Sequence, residues 1–217
     1  FIGGGGFPAL PNLPLDFQSA PITYNFTDFD GGSSTVINNP HATGINTSSK
    51  VAQMVKNAGQ VWGGSYLALA NPIDFSVNRI FKMKVYAPRA GVKVLLKVEN
   101  ATDASINYEK ESQTTVANDW EELSFDFSAI DWTKQYQKVV FIFDNGTMGD
   151  GSSNFTFLFD DVRLVYGNGN SQQLLQMDLP LSFDLSNVDY GLIGFDGAEQ
   201  SSVTADPTNA SNNVAKV

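Results

Sequence analysis

The chain contains no cysteine, which excludes disulfide bonds, cysteine–zinc sites, iron–sulfur clusters and thiol catalysis. Its single histidine, His41, stands in the loop sequence NNPHATG without a nucleophile motif around it, which argues against imidazole acid–base catalysis. Two carboxylates alone would suffice for glycoside hydrolysis, but the acidic residues here are spread over turns and outward strand positions. We therefore do not expect an enzyme.

Basic residues are also scarce, since 13 Lys and Arg stand against 23 Asp and Glu, for a net charge of −10. This balance argues against a nucleic-acid partner and against binding to anionic lipid. No run of 18 apolar residues is present, so no insertion into a membrane is expected. An acidic chain suits a neutral ligand or a Ca²⁺ site. Together with its abundant Asn, Ser, Thr and Gly, it is typical of a secreted or cell-surface bacterial protein.

Helical periodicity is missing from every long segment, and alternation of apolar and polar residues takes its place. The segments FKMKVY, GVKVLLKVEN, WEELSFDF and KVVFIFD each place apolar side chains on one face. The segment NFTFLFDDVRLVY is apolar on both faces, which predicts a central strand. Further strands are expected near residues 21–29, 49–56, 60–70 and 106–116. About nine or ten strands predict an all-β fold, a two-sheet antiparallel β-sandwich of the jelly-roll, galactose-binding-like form.

One phrase of the sequence occurs twice. LPLDFQSAPITYNFTDFDG at residues 13–31 matches LPLSFDLSNVDYGLIGFDG at residues 179–197, which gives a period of 179 − 13 = 166 residues. A period of this size corresponds to a domain rather than to a solenoid repeat. We therefore predict four segments: a Gly/Pro-rich leader at 1–19, a β-sandwich module at 20–166, a linker at 167–178, and the start of a second, incomplete copy at 179–217.

The second copy leads to an expectation about partners. A few unpartnered strands are marginal in water, so residues 179–217 are expected to pair with further domains of the same chain or with a surface assembly. The sequence is expected to be a fragment of a longer tandem protein.

Two carboxylates stand at positions where strand alternation points inward. Asp28 and Asp30 share their parity with Tyr24 and Phe26, and Asp160 shares its parity with apolar neighbours in LFDDVRL. If the first and last strands are adjacent, Asp30 and Asp160 converge, and paired carboxylates with backbone carbonyls are ligands that Ca²⁺ takes. The second copy retains Asp196 at the position of Asp30, which favours Asp30 over Asp28. The alternative is that these acids are solvated at strand ends or cap turns.

Exposed aromatic rings could stack on sugar rings. Trp62 and Tyr66 alternate with Leu67 in VWGGSYLAL and could form a stacking platform, or they could belong to a strand that is bulky on both faces. Trp132 and Tyr136 in DWTKQYQK are further ligand candidates. Trp120 begins a strand and is expected to be structural.

Several segments together resemble a known family. TDFDGG, NTSSKVAQMV, QVWGGSYLAL, KMKVYAP, WEELSFDFS and GDGSSNFTFLFDDVRL are similar to β-sandwich modules of polysaccharide-degrading bacteria, which accompany enzymes such as laminarinases. More distantly the chain resembles jelly-roll carbohydrate-binding modules of families 4 and 22, over roughly residues 20–166. The resemblance implies a structural Ca²⁺ between the acid after the first-strand Phe and the first Asp of the final FDD, here Asp30 and Asp160.

The resemblance also implies a function. It predicts a non-catalytic carbohydrate-binding module, tandemly repeated in a larger secreted or cell-surface protein, that binds a neutral polysaccharide such as a β-glucan. The alternative from another class is a structural spacer or adhesin repeat with no glycan site. The exposure of Trp62, Tyr66 and Trp132 discriminates between the two.

Overall fold

The computed structural model describes residues 9–18, 22–165 and 202–216. They belong to two compact units, Phe1–Gly169 and Asn170–Val217. The described residues of the first unit form ten strands and one short 3₁₀ helix: β1 (Thr27–Phe29), β2 (Gly32–Asn38), β3 (Lys50–Lys56), β4 (Gly64–Ala68), β5 (Ile80–Tyr86), β6 (Lys93–Glu99), β7 (Asn107–Gln113), β8 (Trp120–Asp126), β9 (Lys138–Phe143), the helix Ser153–Phe155, and β10 (Thr156–Val165). No helix in the described part of the chain is long and apolar enough to cross a membrane.

The ten strands form two five-stranded sheets in which every neighbouring pair is antiparallel. Sheet 1 has the order β1-β4-β9-β6-β7, and sheet 2 has the order β2-β3-β10-β5-β8. The predicted two-sheet antiparallel β-sandwich is confirmed.

Alternation along the strands builds the core between the sheets. In β9, Val139, Phe141 and Phe143 are fully buried and face sheet 2. Phe157 and Phe159 of β10 meet them from sheet 2, with ring centroids of Phe141 and Phe159 4.7 Å apart. The alternate residues of the same strands point to the outer faces of the sheets, where any ligand site on a sheet must lie.

The prediction of a leader at residues 1–19 is wrong for residues 15–17. Leu15 forms an antiparallel bridge to Val162 of β10, and Leu15 and Phe17 are 0% and 2% exposed. Residues 15–17 therefore belong to the sandwich because their side chains complete its core. The strand with which Leu15 pairs is the last strand of the module, whereas the sequence predicts that the first and last strands themselves are adjacent. That adjacency does not hold for β1, which pairs with β4 in the other sheet.

The second unit is described only at residues 202–216. There β11 (Ser202–Asp206) and β12 (Asn209–Lys216) pair as an antiparallel hairpin. Residues 179–201 of the predicted second copy lie outside the described residues. The expected partner for this segment stays a prediction.

Candidate functional site

The outer face of sheet 1 carries an apolar patch away from the core. Leu95, Val140 and Ile142 are 8%, 4% and 8% exposed, and the half-buried Phe29 and Tyr66 pack against them. Register places Tyr66 opposite Val140, and Ile142 opposite Leu95. We call this set of five side chains the sheet 1 patch.

The absence of a side chain at Gly64 lets the Phe29 ring lie close to the sheet. Gly64 pairs with Phe29 across β1 and β4. A Cβ on Gly64 would overlap the carbonyl oxygen of Phe141 and come within 2.9 Å of Ile142 and 3.0 Å of the Phe29 ring. The Phe29 ring therefore lies beside Gly64 and Ile142. Gly64 precedes Tyr66 by two residues on β4, so both positions are on the same face of the sheet.

Charged and amide side chains border the patch. Lys97 and Glu99 form a 2.9 Å ion pair on β6, and the ammonium group of Lys138 lies 5.4 Å from the Tyr66 ring centroid. At the other border, Asn145 donates a hydrogen bond to Glu111 at 3.1 Å. The face thus presents an aromatic ring with fixed donors and acceptors beside it, the combination that suits a polyhydroxylated ring.

Trp62 stands at the Phe29 end of sheet 1, in the turn before β4. Its side chain is 50% exposed, and its indole N–H donates to the Asp30 carboxylate at 2.9 Å. This hydrogen bond restricts the ring, so less ordering is needed when a ligand stacks on it. Trp62 is thus exposed and Tyr66 half-buried, and their role as a stacking platform stays a prediction.

Trp132 and Tyr136 have different fates. Trp132 is 54% exposed in the loop before β9, with the Arg79 guanidinium 5.8 Å from its ring. Tyr136 is 2% exposed, packs edge-on against Phe75, and donates its hydroxyl to the Asp131 carbonyl at 3.1 Å. The prediction of Tyr136 as a ligand contact is wrong, because its ring fills the core.

The structure does not bring Asp30 and Asp160 together. Asp28 and Asp30 are exposed, Asp30 in a left-handed turn at φ 52°, so the predicted inward parity is wrong for both. Asp30 lies beyond the end of β3, because the carbonyl of Gly31 accepts from the Asn57 amide. Asp160 follows Phe159, which is opposite Ala52, about 13 Å further along β3.

Asp160 lies on the outer face of sheet 2 rather than in the core. A β-bulge between Asp160 and Arg163, with Asp161 at φ 51°, reverses the alternation, so Val162 faces inward while Asp160 does not. Asp160 is nevertheless only 1% exposed.

The carboxyl group of Asp160 has an incomplete set of partners. Burial raises its pKa, while Ser48, the Asp161 amide and Asn46 act to lower it. Its Oδ2 and the Nδ2 of Asn46 have no hydrogen-bond partner among the described residues. No cluster of three or more acidic or histidine side chains that could hold a metal is found in that part of the chain.

Sequence reasoning missed the side chains that border Tyr66. The sequence predicts Phe29 only as the last residue of a strand near 21–29, and Lys97, Glu99 and Lys138 only as the polar side of alternating strands. Their convergence depends on the order β4-β9-β6, which joins strands far apart in the sequence. The one available signal was the outward apolar residue Leu95 in the run VLLKV.

Neither a protein-family model nor a curated protein matches the sequence. Several solved structures do. The family 11 carbohydrate-binding module of a cellulosomal cellulase of Clostridium thermocellum is 12% identical, with a TM-score of 0.51 over 75% of this chain and 97% of that chain. The same type of module in complex with a β-1,3-1,4-mixed-linked tetrasaccharide is 11% identical, with a TM-score of 0.50 over 70% and 93%.

A third similar structure is an exo-β-agarase. It is 11% identical, with a TM-score of 0.54 over 73% of this chain and 25% of the agarase chain. At these identities the likeness concerns the fold. This chain therefore has the jelly-roll β-sandwich fold that these carbohydrate-binding modules have.

Proposed function

We propose that the protein is a non-catalytic carbohydrate-binding module whose ligand surface is the sheet 1 patch with the adjoining Trp62. The observation that carries the proposal is the half-buried Tyr66 ring on a sheet face, bordered by the Lys97–Glu99 ion pair and by Lys138. Aromatic faces stack on sugar C–H groups, while fixed polar groups select hydroxyl positions.

We propose a neutral polysaccharide such as a β-glucan as the ligand. The net charge of −10 disfavours acidic polymers. Near the patch, Lys93 is paired with Glu111 and Lys97 is paired with Glu99. The mixed-linked tetrasaccharide bound by the similar family 11 module makes mixed-linked β-glucan the first ligand to try. A polymer of this kind lies outside cells, so we place the protein in a secreted or cell-surface context, where tandem copies would add avidity.

The test is affinity electrophoresis and calorimetry with soluble mixed-linked β-glucan and laminarin, against alginate as an acidic control. We expect wild-type protein to bind a neutral glucan, and Tyr66→Ala to weaken binding roughly tenfold, the scale of losing one stacked aromatic. Trp132→Ala is the matched control at the opposite end of sheet 1 and should leave the affinity unchanged.

Two results would count against this assignment. Loss of binding in Trp132→Ala but not in Tyr66→Ala would move the site to the Trp132 loop. Absence of binding to every neutral glucan would favour the spacer or adhesin alternative.

We also propose that Asp160, rather than an Asp30–Asp160 pair, is the carboxylate ligand of a structural Ca²⁺. The unpartnered Oδ2 of the buried carboxyl group supports this, and Asn46 and Ser48 lie close enough to lower the pKa of that group. Calcium takes six to eight oxygen ligands and binds more tightly as the number of carboxylates rises. A site with a single carboxylate is therefore expected to be weak.

A further inference from the structure

A buried lysine lies at one end of the sandwich. Lys56 ends β3, is 0% exposed, and directs its ammonium group toward three backbone carbonyls. Its Nζ donates to Val61 at 2.7 Å, Asp144 at 2.8 Å and Phe143 at 2.9 Å. A buried ammonium group is costly unless its N–H groups are bonded, and here three hydrogens meet three acceptors.

These bonds join the two sheets. Lys56 belongs to β3 of sheet 2, whereas Phe143 ends β9 of sheet 1 and Val61 precedes β4 of sheet 1. The Val61 carbonyl also accepts from the Gly146 amide at 3.1 Å. Lys56 therefore holds the segment 57–63, which we call the Trp62 loop, against the end of β9.

The Trp62 loop is closely packed on its other side as well. The amide of Gln60 donates to the Asp30 carbonyl at 2.9 Å, and the Trp62 indole donates to the Asp30 carboxylate at 2.9 Å. A Cβ on Gly59 or Gly63 would overlap the Asp30 carbonyl oxygen. The hydrogen bond from the indole to Asp30 thus holds the Trp62 ring. The hydrogen bond from Lys56 to the Val61 carbonyl holds the peptide group between Val61 and Trp62 from the core side.

We propose that Lys56 is a positioning residue for glycan binding, because its bond to the Val61 carbonyl holds Trp62 in its exposed, stacking orientation. The proposal rests on the function proposed above. Its physical basis is that a loop ordered in advance does not have to be ordered by the ligand, so affinity falls by the fraction of molecules in which the loop is misplaced.

The charges around Lys56 make its role dependent on pH. Two charged groups act on it, the Asp144 carboxylate and the Arg89 guanidinium, which are ion-paired with each other. Burial lowers the pKa of Lys56 to about 8, with Asp144 raising it and Arg89 lowering it further. A neutral amine has only two N–H groups for three carbonyls, so one bond is lost above that pH.

The first experiment compares Lys56→Met with Lys50→Met, using calorimetry with mixed-linked β-glucan. Lys50 begins the same strand and is exposed, so its substitution should leave the affinity unchanged. Lys56→Met should weaken binding roughly tenfold, as expected if the competent loop falls to about a tenth of molecules. In a Trp62→Ala background, Lys56→Met should cause no further loss, because both changes remove the same contact.

A pH profile of the wild type tests the proposal without depending on whether the Lys56→Met variant folds. The affinity should fall as the pH rises through about 8, and Trp62→Ala should remove this fall. A flat wild-type profile between pH 7 and 9, or a folded Lys56→Met variant with wild-type affinity, would overturn the proposal.

A separate readout keeps this proposal distinguishable from the proposed function. If the wild type binds no glucan, the function fails, but the ¹⁵N indole resonance of Trp62 still reports on the loop. Lys56→Met should shift or broaden that resonance and leave the Trp120 indole, which donates to His41, unchanged. An unaltered Trp62 resonance would show that Lys56 does not position the ring.

Discussion

At the scale of single residues, Gly64 shows how an absent side chain shapes a binding face. It stands between the Phe29 ring and Ile142, with the Phe141 carbonyl at the place of a Cβ. Any larger residue would lift Phe29 off the sheet and separate β4 from β9. The patch therefore depends on one position that contributes no atoms to it.

Gly64→Ala is expected to lower the free energy of unfolding by about 1–3 kcal/mol, the usual cost of overpacking. It should also weaken binding to mixed-linked β-glucan, because Phe29 and Tyr66 share the patch. Urea unfolding and calorimetry measure the two effects. Gly91→Ala is the comparison, since its Cβ would meet open space and only the backbone strain of φ 78° remains. Equal glucan affinity in wild type and Gly64→Ala would contradict the assigned surface.

Asp160 gives a second residue-scale prediction, in which the sign of the pH dependence is set by burial. The pKa of Asp160 is raised above the ordinary value of 3.8, so between these two values the folded state binds more protons than the unfolded state. Without metal, its contribution to stability therefore falls as the pH rises through that window. Asp160→Asn should remove this fall.

Bound Ca²⁺ should offset the loss of stability that ionisation of the buried Asp160 carboxyl group causes. Adding Ca²⁺ to chelator-treated wild type should raise the melting temperature by mass action, and Asp160→Asn should abolish the response. Asp30→Asn is the control and should keep it, since Asp30 lies elsewhere. A calcium response lost in Asp30→Asn but retained in Asp160→Asn would reverse the assignment.

At the scale of strands and loops, alternation predicted nine of the ten sandwich strands, because each has one face in the core. The strand β2 (GSSTVIN) was missed, since its serines and glycine read as the continuation of a turn. The face of Asp160 was also misjudged. Alternation carries a residue to a face only while the ladder is regular, and the bulge at Asp161 is set by tertiary pairing with β5.

The candidate site was predicted in part for a similar reason. Tyr66 and Trp62 could be chosen from their own segment, but their polar neighbours come from β6 and β9. Tyr136 was misassigned because a residue just before a strand can face either way. The structure settles it by the bond between the Ile73 amide and the Tyr136 carbonyl, which holds that segment over the core.

The loop 39–49 covers the outer face of sheet 2 through an aromatic cluster. His41 stacks on Tyr86 at 4.2 Å, and the Trp120 indole donates to the His41 carbonyl at 2.7 Å. Trp120→Phe keeps an aromatic ring but removes this donor. The free energy of unfolding should fall by roughly 0.5–1.5 kcal/mol, the net worth of one hydrogen bond, because the His41 carbonyl keeps its bond from the Thr43 amide.

Trp132→Phe is the matched comparison for Trp120→Phe. Trp132 is 54% exposed, so the same substitution there should change stability by less than about 0.5 kcal/mol. Chemical denaturation followed by far-UV circular dichroism measures both. Equal destabilisation of the two variants would mean that the bond to His41 does not hold the loop.

At the scale of the whole molecule, the sheets are held together by an apolar core and, at one end, by Lys56. Because burial lowers its pKa to about 8 from 10.5, the unfolded state binds more protons than the folded state between these values. The contribution of Lys56 to the free energy of unfolding therefore rises with pH in that window, while glucan affinity falls.

Denaturant unfolding of wild type and Lys56→Met at pH 7.5 and pH 10 tests this. We expect the stability of the wild type to increase relative to that of the variant at the higher pH. Lys50→Met, whose side chain is exposed, should track the wild type throughout. A difference between wild type and Lys56→Met that does not change with pH would mean that Lys56 titrates normally.

The bridge between Leu15 and Val162 has a consequence for how such a sandwich can be built into other proteins. Two backbone hydrogen bonds join Leu15 to Val162 of β10. The first and last described segments of the sandwich therefore lie side by side. A domain whose two ends lie close together can be inserted into a surface loop of another protein, because the loop residues on either side of it stay close to each other. The same proximity would let its ends be joined and new ones opened at the Thr102–Ser105 turn, a permutation that leaves the sheet 1 patch intact.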